Sequence, residues 1–209
     1  MGKCGCNRCK GKSVCLENNK VEERWPTDPE ESMFFLTAIA PKFLCPGQTF
    51  RLQVPTCFSL AGCTGPATAS VSIGFVEINL NGPATFQDFG GCGSGCPEGS
   101  FFGVISPDGK ETLIALGDYA LDCLVSVKPC PTLCCCLELV ILVEEGASNQ
   151  PITVDGTFFG DVNTSDGCPI GEFSGGIEVP FTITSTLTSD THPCCRCKET
   201  SGCDCLHSD

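Results

Sequence analysis

Cysteine is the abundant reactive side chain of this sequence, and its spacing poses a choice between two chemistries. Nine of the twenty cysteines stand in two short polar ends, MGKCGCNRCKGKSVC and HPCCRCKETSGCDCLHSD. Their C-x-C and C-x-x-C spacings bring thiolates close enough to share a soft metal, as in a thiolate cluster or a structural zinc site. A joint zinc site would require Cys4, Cys6, Cys9 and Cys15 to meet Cys194, Cys195, Cys197, Cys203 and Cys205 from the opposite end of the chain. The same spacings suit disulfides to other chains. An extended arm reaches a neighbouring subunit, and closely spaced cysteines tolerate imprecise register when each seeks a partner Cα within about 7 Å.

The middle of the chain adds further candidates. In CPTLCCC (130–136), an extended backbone puts Cys134 and Cys136 on one face and Cys135 on the other, so at least one is presented outward to a partner. A free cysteine packed as a small apolar residue is the alternative for any single one of them. Cys92 and Cys96 flank Gly-Ser-Gly and read as a loop closed within the chain. Other chemistry is sparse. His192 and His207 both lie near the C-terminal end, GSG lacks the spacing of a nucleophile elbow, and no phosphate-loop or dinucleotide fingerprint occurs. Neither an enzymatic activity nor a cofactor is expected. DVNTSDGCPIGE places Asp161, Asn163 and Ser165 at alternate positions, with Glu172 eleven residues after Asp161, and so echoes a calcium loop. Asp166 stands where that loop needs glycine, and Cys168-Pro169 interrupts it, so an Asx-rich turn is the expectation.

Strands must position these groups. Gly (24), Pro (15) and Phe (14) are plentiful alongside Thr and Val, the composition of many strands joined by turns. QTFRLQV (48–54) sets Phe50, Leu52 and Val54 on one face. GIEVPFTITSTL does the same with Ile177, Val179, Phe181 and Ile183, and leaves Pro180 on the outer face, the mark of an edge strand or a bulge. ATASVSIGFVEINL changes phase once, from Val71 and Ile73 to Val76, Ile78 and Leu80, beside Gly74; this predicts a β-bulge or a bend between sheets. Further strands are predicted at 33–40, 100–106, 111–116, 119–127, 136–145 and 152–160, with PDGK as the turn between the second and third of these. The resulting fold class is all-β: a two-sheet, jelly-roll-like β-sandwich with flexible cysteine-rich N- and C-terminal arms. Three regions follow: an arm and linker over 1–31, a sandwich over 32–190 and a tail over 191–209.

Charge narrows the partners. The formal charge is −13; residues 1–24 carry net +3, and residues 25–190 net −15. An acidic body repels phosphate backbones, which argues against nucleic acid, while a basic arm can dock on a neighbour's acidic body. CCCLELVILV (134–143) is too short for a membrane span and contains Glu138. Lys3 is followed by cysteines, Asn7 and Arg8 rather than an apolar run, so synthesis in the cytoplasm without a signal peptide is expected. Neither ITVDGTFFG nor GIEVPFTITSTL carries the lysines that blunt a sheet edge, and both are expected to invite strand addition.

A cysteine-studded arm followed by a Gly/Thr/Val-rich sandwich resembles the subunits of bacterial endospore appendages (the Ena type) and, more loosely, cysteine-rich coat and exosporium proteins. The resemblance implies jelly-roll subunits pairing strands edge to edge, with Cys4, Cys6, Cys9 and Cys15 as covalent cross-linkers. The second cysteine cluster, 194–205, departs from that pattern. The expected function is a self-assembling subunit of a disulfide-cross-linked extracellular filament or spore surface layer. Its partners would be further copies of itself and other spore-surface proteins. A cytosolic zinc-thiolate protein is the alternative.

Overall fold

The computed structural model describes residues 17–60, 63, 65–92, 101–123, 132–147, 149–165 and 173–196. In chain order its strands are β1 (Asn18–Trp25), β2 (Phe34–Pro41), β3 (Phe43–Leu44), β4 (Thr49–Ser59), β5 (Ala67–Asn81), β6 (Ala84–Gly91), β7 (Phe102–Ile105), β8 (Glu111–Cys123), β9 (Thr132–Val143), β10 (Pro151–Thr164) and β11 (Phe173–Leu187). One short helical turn, α1 (Pro193–Arg196), follows. The first sheet has the order β1-β2-β4-β9-β6 and the second β3-β11-β10-β5-β8-β7. The antiparallel pairs β4·β9 and β10·β5 form one ribbon that crosses between the sheets at both connections, which gives the sandwich its jelly-roll character.

Alternation explains which side chains enter the core. Phe50, Leu52 and Val54 are buried on β4, as are Ile177, Val179, Phe181 and Ile183 on β11. They meet Leu137, Leu139 and Ile141 of β9 and Val76, Ile78 and Phe158 of the second sheet in one cluster. The Phe34 and Phe158 rings join the two sheets at 5.7 Å. Each such side chain contributes roughly 1.5–3 kcal/mol on burial, so the packing of the two inner faces, rather than any one contact, holds the sandwich together.

The phase change predicted in the fifth strand is a bulge within one sheet. Phe75 pairs with Phe159 and Ser72 with Asp161, so β5 carries one more residue than β10 over this span. Val71 is buried before it, and Val76, Ile78 and Leu80 after it. Across the other side β5 keeps register with β8, where Gly117 has φ +112°. Only glycine takes that conformation without strain. It lets β8 change phase and continue, which merges the two strands predicted at 111–116 and 119–127 into one. The PDGK turn forms as expected: Gly109, at φ +67°, donates its N–H to the Ser106 carbonyl at 2.8 Å.

Two expectations are corrected. Residues 18–25, assigned to the arm, form β1 and pair with β2 along their full length, from Asn18·Pro41 to Trp25·Phe34. The body therefore begins at or before Asn18, rather than at Ser32. NNKVEERW conceals its alternation because only Val21 and Trp25 are apolar on the half-buried face, a pattern that suffices at the flank of a sandwich. ITVDGTFFG is not an edge either, since β10 lies between β11 and β5. It lacks lysine because it is paired on both sides. For GIEVPFTITSTL the edge expectation fits: among the described residues, beyond β10, β11 pairs only through Thr186 and Leu187, in a short parallel match to β3. Pro180, exposed in this edge strand, costs no ladder hydrogen bond on its free side.

Candidate functional site

Nine cysteines of the described residues, Cys45, Cys57, Cys63, Cys92, Cys134, Cys135, Cys136, Cys194 and Cys195, are disulfide-bonded. A disulfide sulfur is not a thiolate, so in this state none of the nine serves as a zinc ligand. The alternation of β9 decides how its three consecutive cysteines are used. Cys135 is buried in the core, while Cys134 and Cys136 turn to the outer face of the first sheet. Cys134 bonds directly across to Cys57 on β4, with Cα atoms 4.1 Å apart. Cys136 bonds to Cys92, at the end of β6, with Cα atoms 5.2 Å apart. β9 is thereby stapled to both of its neighbours.

A third pair fastens the end of the body. Cys45 and Cys195, both buried, link the β3–β4 connection to α1 across 150 residues, with a Cα separation of 5.5 Å. Thr188 supports the same corner: its N–H and hydroxyl both reach the Leu44 carbonyl at 2.9 Å, and its Oγ1 lies 3.0 Å from the Cys195 sulfur. His192 stacks on Phe43 with ring centroids 5.6 Å apart.

Set against the sequence expectations, Cys134, Cys136 and Cys195, taken as candidates for bonds between subunits, are paired within the chain. Cys92 pairs with Cys136, 44 positions away, rather than closing the Gly-Ser-Gly loop. The partner Cys96 considered for it, and Cys4, Cys6, Cys9, Cys15, Cys197, Cys203 and Cys205, lie outside the described residues. Sequence spacing gave no access to these pairings, because each depends on which strands become neighbours.

Of the calcium-like stretch, the structure describes residues 161–165. Asp161 and Asn163 lie on β10, and Asn163 accepts a hydrogen bond from the Ser174 hydroxyl at 2.6 Å. The Ser165 hydroxyl oxygen accepts from the Thr68 N–H at 2.8 Å. Glu172 lies outside the described residues. Extended backbone carries Asp161 and Asn163 in a line rather than wrapping them around a point. Among the described residues no group of three or more His, Cys, Asp or Glu side chains is placed to hold a metal.

The surface feature that sequence reading missed is at the far edge of the second sheet. Among the described residues β7 pairs with β8 alone. On its outer face Phe102 and Val104 are 66% and 63% exposed, beside Leu113 of β8 at 40%. Val104 and Leu113 are direct cross-strand partners, so the three side chains form one apolar strip along a strand edge. Gly103 faces inward, and a Cβ there would meet the Leu113 carbonyl at 2.5 Å, so the close approach of β7 to β8 depends on that glycine. No helix among the described residues is long and apolar enough to cross a membrane.

The sequence matches no protein-family model and no curated protein. Among solved structures it is similar to a cohesin module of a family 33 glycoside hydrolase from Clostridium perfringens, at 11% identity over 74% of this chain and 96% of that one, with a TM-score of 0.39. It is also similar to BcpA, the major pilin subunit of Bacillus cereus, at 13% identity over 81% of this chain and 41% of that one, with a TM-score of 0.37. A third is the major pilin GBS80 of Streptococcus agalactiae, at 7% identity over 81% of this chain and 56% of the solved fragment, with a TM-score of 0.38.

Proposed function

We propose that this chain is the repeating subunit of a disulfide-hardened filament or surface layer, assembled by strand addition at sheet edges and then cross-linked through Cys4, Cys6, Cys9 and Cys15 of the arm. The observation that carries this reading is the apolar edge of β7. An edge strand left with unpaired N–H and C=O groups is normally short, charged or covered. β7 is short, but its exposed side chains are Phe102 and Val104, and no charged residue falls between Phe101 and Pro107. A neighbour's strand laid there would satisfy the backbone and cover the strip. Where that strand comes from a different edge of the next copy, the contact is heterologous and extends into an open fibre. The oxidised cysteines of the body accord with service in an oxidising setting. Together with the resemblance to endospore appendage subunits, they favour an extracellular or spore-surface site.

Electron microscopy of the purified chain tests this reading. The wild type is expected to form filaments. A variant carrying Phe102→Lys and Val104→Lys is expected to stay monomeric with its fold intact, because both side chains already face solvent. Filaments of equal length and number from the variant would exclude β7 as the assembling edge.

A further inference from the structure

A groove of about 590 Å³ opens beside the β5 bulge, between the end of β1 and the outer parts of β10 and β11. Among its lining residues are the aromatic Trp25 and Phe159, the acidic Asp161 and Glu178, and Gly160 and Gly176. Gly176 opens the recess: it is the cross-strand partner of Asp161 on the outer face, so at that pairing one side chain is missing. Ser72 also lines the groove, and its hydroxyl donates to the Asp118 carboxylate, bringing a third acid beside the other two. Phe173 steadies the indole of Trp25 with ring centroids 5.0 Å apart.

Aromatic faces and carboxylates attract the same kind of ligand, a Lys or Arg side chain, through ring quadrupole and charge together. No lysine or arginine of the described residues lines the groove. The sequence holds a segment of matching chemistry: residues 1–12 contain Lys3, Arg8, Lys10 and Lys12 and no acid, on a chain whose residues 25–190 carry net −15.

We propose that the groove receives the basic segment 1–12 of a second copy of this chain. A neighbour's segment can bring all four cations to the groove, whereas the chain's own can bring only some of them with ease. The segment joins the body at the Asn18 end of β1, and Trp25 stands at the other end, seven residues or roughly 23 Å away at about 3.3 Å per residue. Lys12 and Lys10 of the same chain, five and seven residues before Glu17, would have to double back along β1 almost fully extended, at about 3.3–3.6 Å per residue, to reach that far, while Arg8 and Lys3, nine and fourteen residues before it, have chain to spare. A neighbouring copy has no such constraint. The presence of that neighbour rests on the assembly reading above; the chemistry of the groove does not.

Trp25 is the single tryptophan of the chain, so its fluorescence reports on the groove directly. The probe is a synthetic peptide of residues 1–12 with Cys4, Cys6 and Cys9 replaced by serine. The receiver is the full chain with Lys3, Arg8, Lys10 and Lys12 changed to glutamine, so that its own segment does not compete. Titration is expected to change Trp25 emission saturably. Asp161→Asn with Glu178→Gln, both exposed and nearly isosteric, is expected to weaken binding about tenfold, as loss of two cation contacts implies. An unresponsive Trp25 in the receiver, or equal affinity in the carboxylate variant, overturns the proposal. A wild-type Trp25 signal independent of chain concentration would assign the segment to its own groove and overturn the neighbour's part. Electron microscopy separates the two readings: filaments without peptide binding leave the assembly reading standing alone, and peptide binding without filaments leaves only the groove.

Discussion

On the flank where β1, β3 and β11 meet, each sheet is tied to the other by bonds. The Asn19 amide donates to the Thr184 carbonyl at 2.6 Å, the Ser185 hydroxyl to the Pro41 carbonyl at 2.6 Å, and the Thr186 N–H to the Lys42 carbonyl at 2.8 Å. The buried Cys45–Cys195 disulfide closes the corner. The opposite flank, formed by β6 and β7, is pinned at its hairpin end, where Phe86 N–H donates to the Gly109 carbonyl at 2.8 Å and Lys110 Nζ to the carbonyls of Gly82 and Ala84 at 2.7 and 2.5 Å. Farther along, β7 turns Phe102 and Val104 to solvent. One flank ties the two sheets to each other with polar groups and a buried disulfide, and the other, beyond the Cys92–Cys136 staple between β6 and β9, leaves an apolar edge exposed. In the assembly proposed above, this asymmetry would give growth one preferred side, and the other side would have to survive without unravelling.

The largest expected effect falls on the closed flank. Removing its staple with Cys45→Ala and Cys195→Ala releases a loop of 150 residues, and is expected to cost about 2–5 kcal/mol. Thermal unfolding measures it, and electron microscopy should still find filaments, because β7 is untouched. A melting temperature equal to the wild type would mean that the hydrogen bonds alone hold this flank. Next in size is Gly103→Ala on the open flank. The new methyl would sit 2.5 Å from the Leu113 carbonyl and 3.1 Å from both Ile114 Cγ1 and Phe89 Cζ. Backbone cannot yield cheaply, so β7 is expected to lift from β8 at a cost of about 1–3 kcal/mol, with loss of assembly. Amide exchange should quicken at Leu113 and Ile105 and stay unchanged along β1 and β11. Equal exchange on both flanks would show that they are not independent.

How much of this contrast was legible beforehand depends on the range of the interaction. The strands β4 and β11, the β5 bulge and the β7–β8 hairpin were readable because alternation and turn chemistry are local: Phe50, Leu52 and Val54 mark their face whatever lies opposite. The order of strands in a sheet is not local. SFFGVIS reads as a strand with no indication that Phe102 would be left outside, since an apolar residue looks the same facing a core or facing water. The same limit hid the disulfides. The three cysteines at 134–136 were correctly split between two faces, but Cys57 and Cys92 become their outer-face partners only because β4 and β6 flank β9. The groove was hidden for a related reason. Trp25 is seven residues into a strand that sequence reading placed in the arm, and Glu178 lies far along the chain.

The smallest effects separate the flanks by salt. On the open flank, the Ser106 hydroxyl donates to Asp108 at 2.5 Å and the Lys110 N–H at 3.1 Å, and these bonds, Ser106 first, hold the Asp108 carboxyl below its ordinary value. On the closed flank, Lys20, 2.5 Å away, holds Glu22 below its ordinary value, first by hydrogen bond and then by charge. Both folded-state values are depressed, so each group adds stability that is present above its unfolded pKa and lost as pH falls through the folded one. Both groups are fully exposed, and the effect on melting is expected to be slight; NMR titration of the two carboxyls is the sensitive measurement. A neutral hydroxyl and backbone N–H groups supply the main causes at Asp108, while at Glu22 the partner is an ammonium whose field is screened within about 3 Å in 1 M salt. Salt is therefore expected to move the Glu22 midpoint upward and leave that of Asp108 nearly in place. Ser106→Ala should do the reverse. If salt shifts both midpoints alike, the hairpin turn is held by the charge of Lys110 rather than by the Ser106 bond, and the open flank would loosen as ionic strength rises.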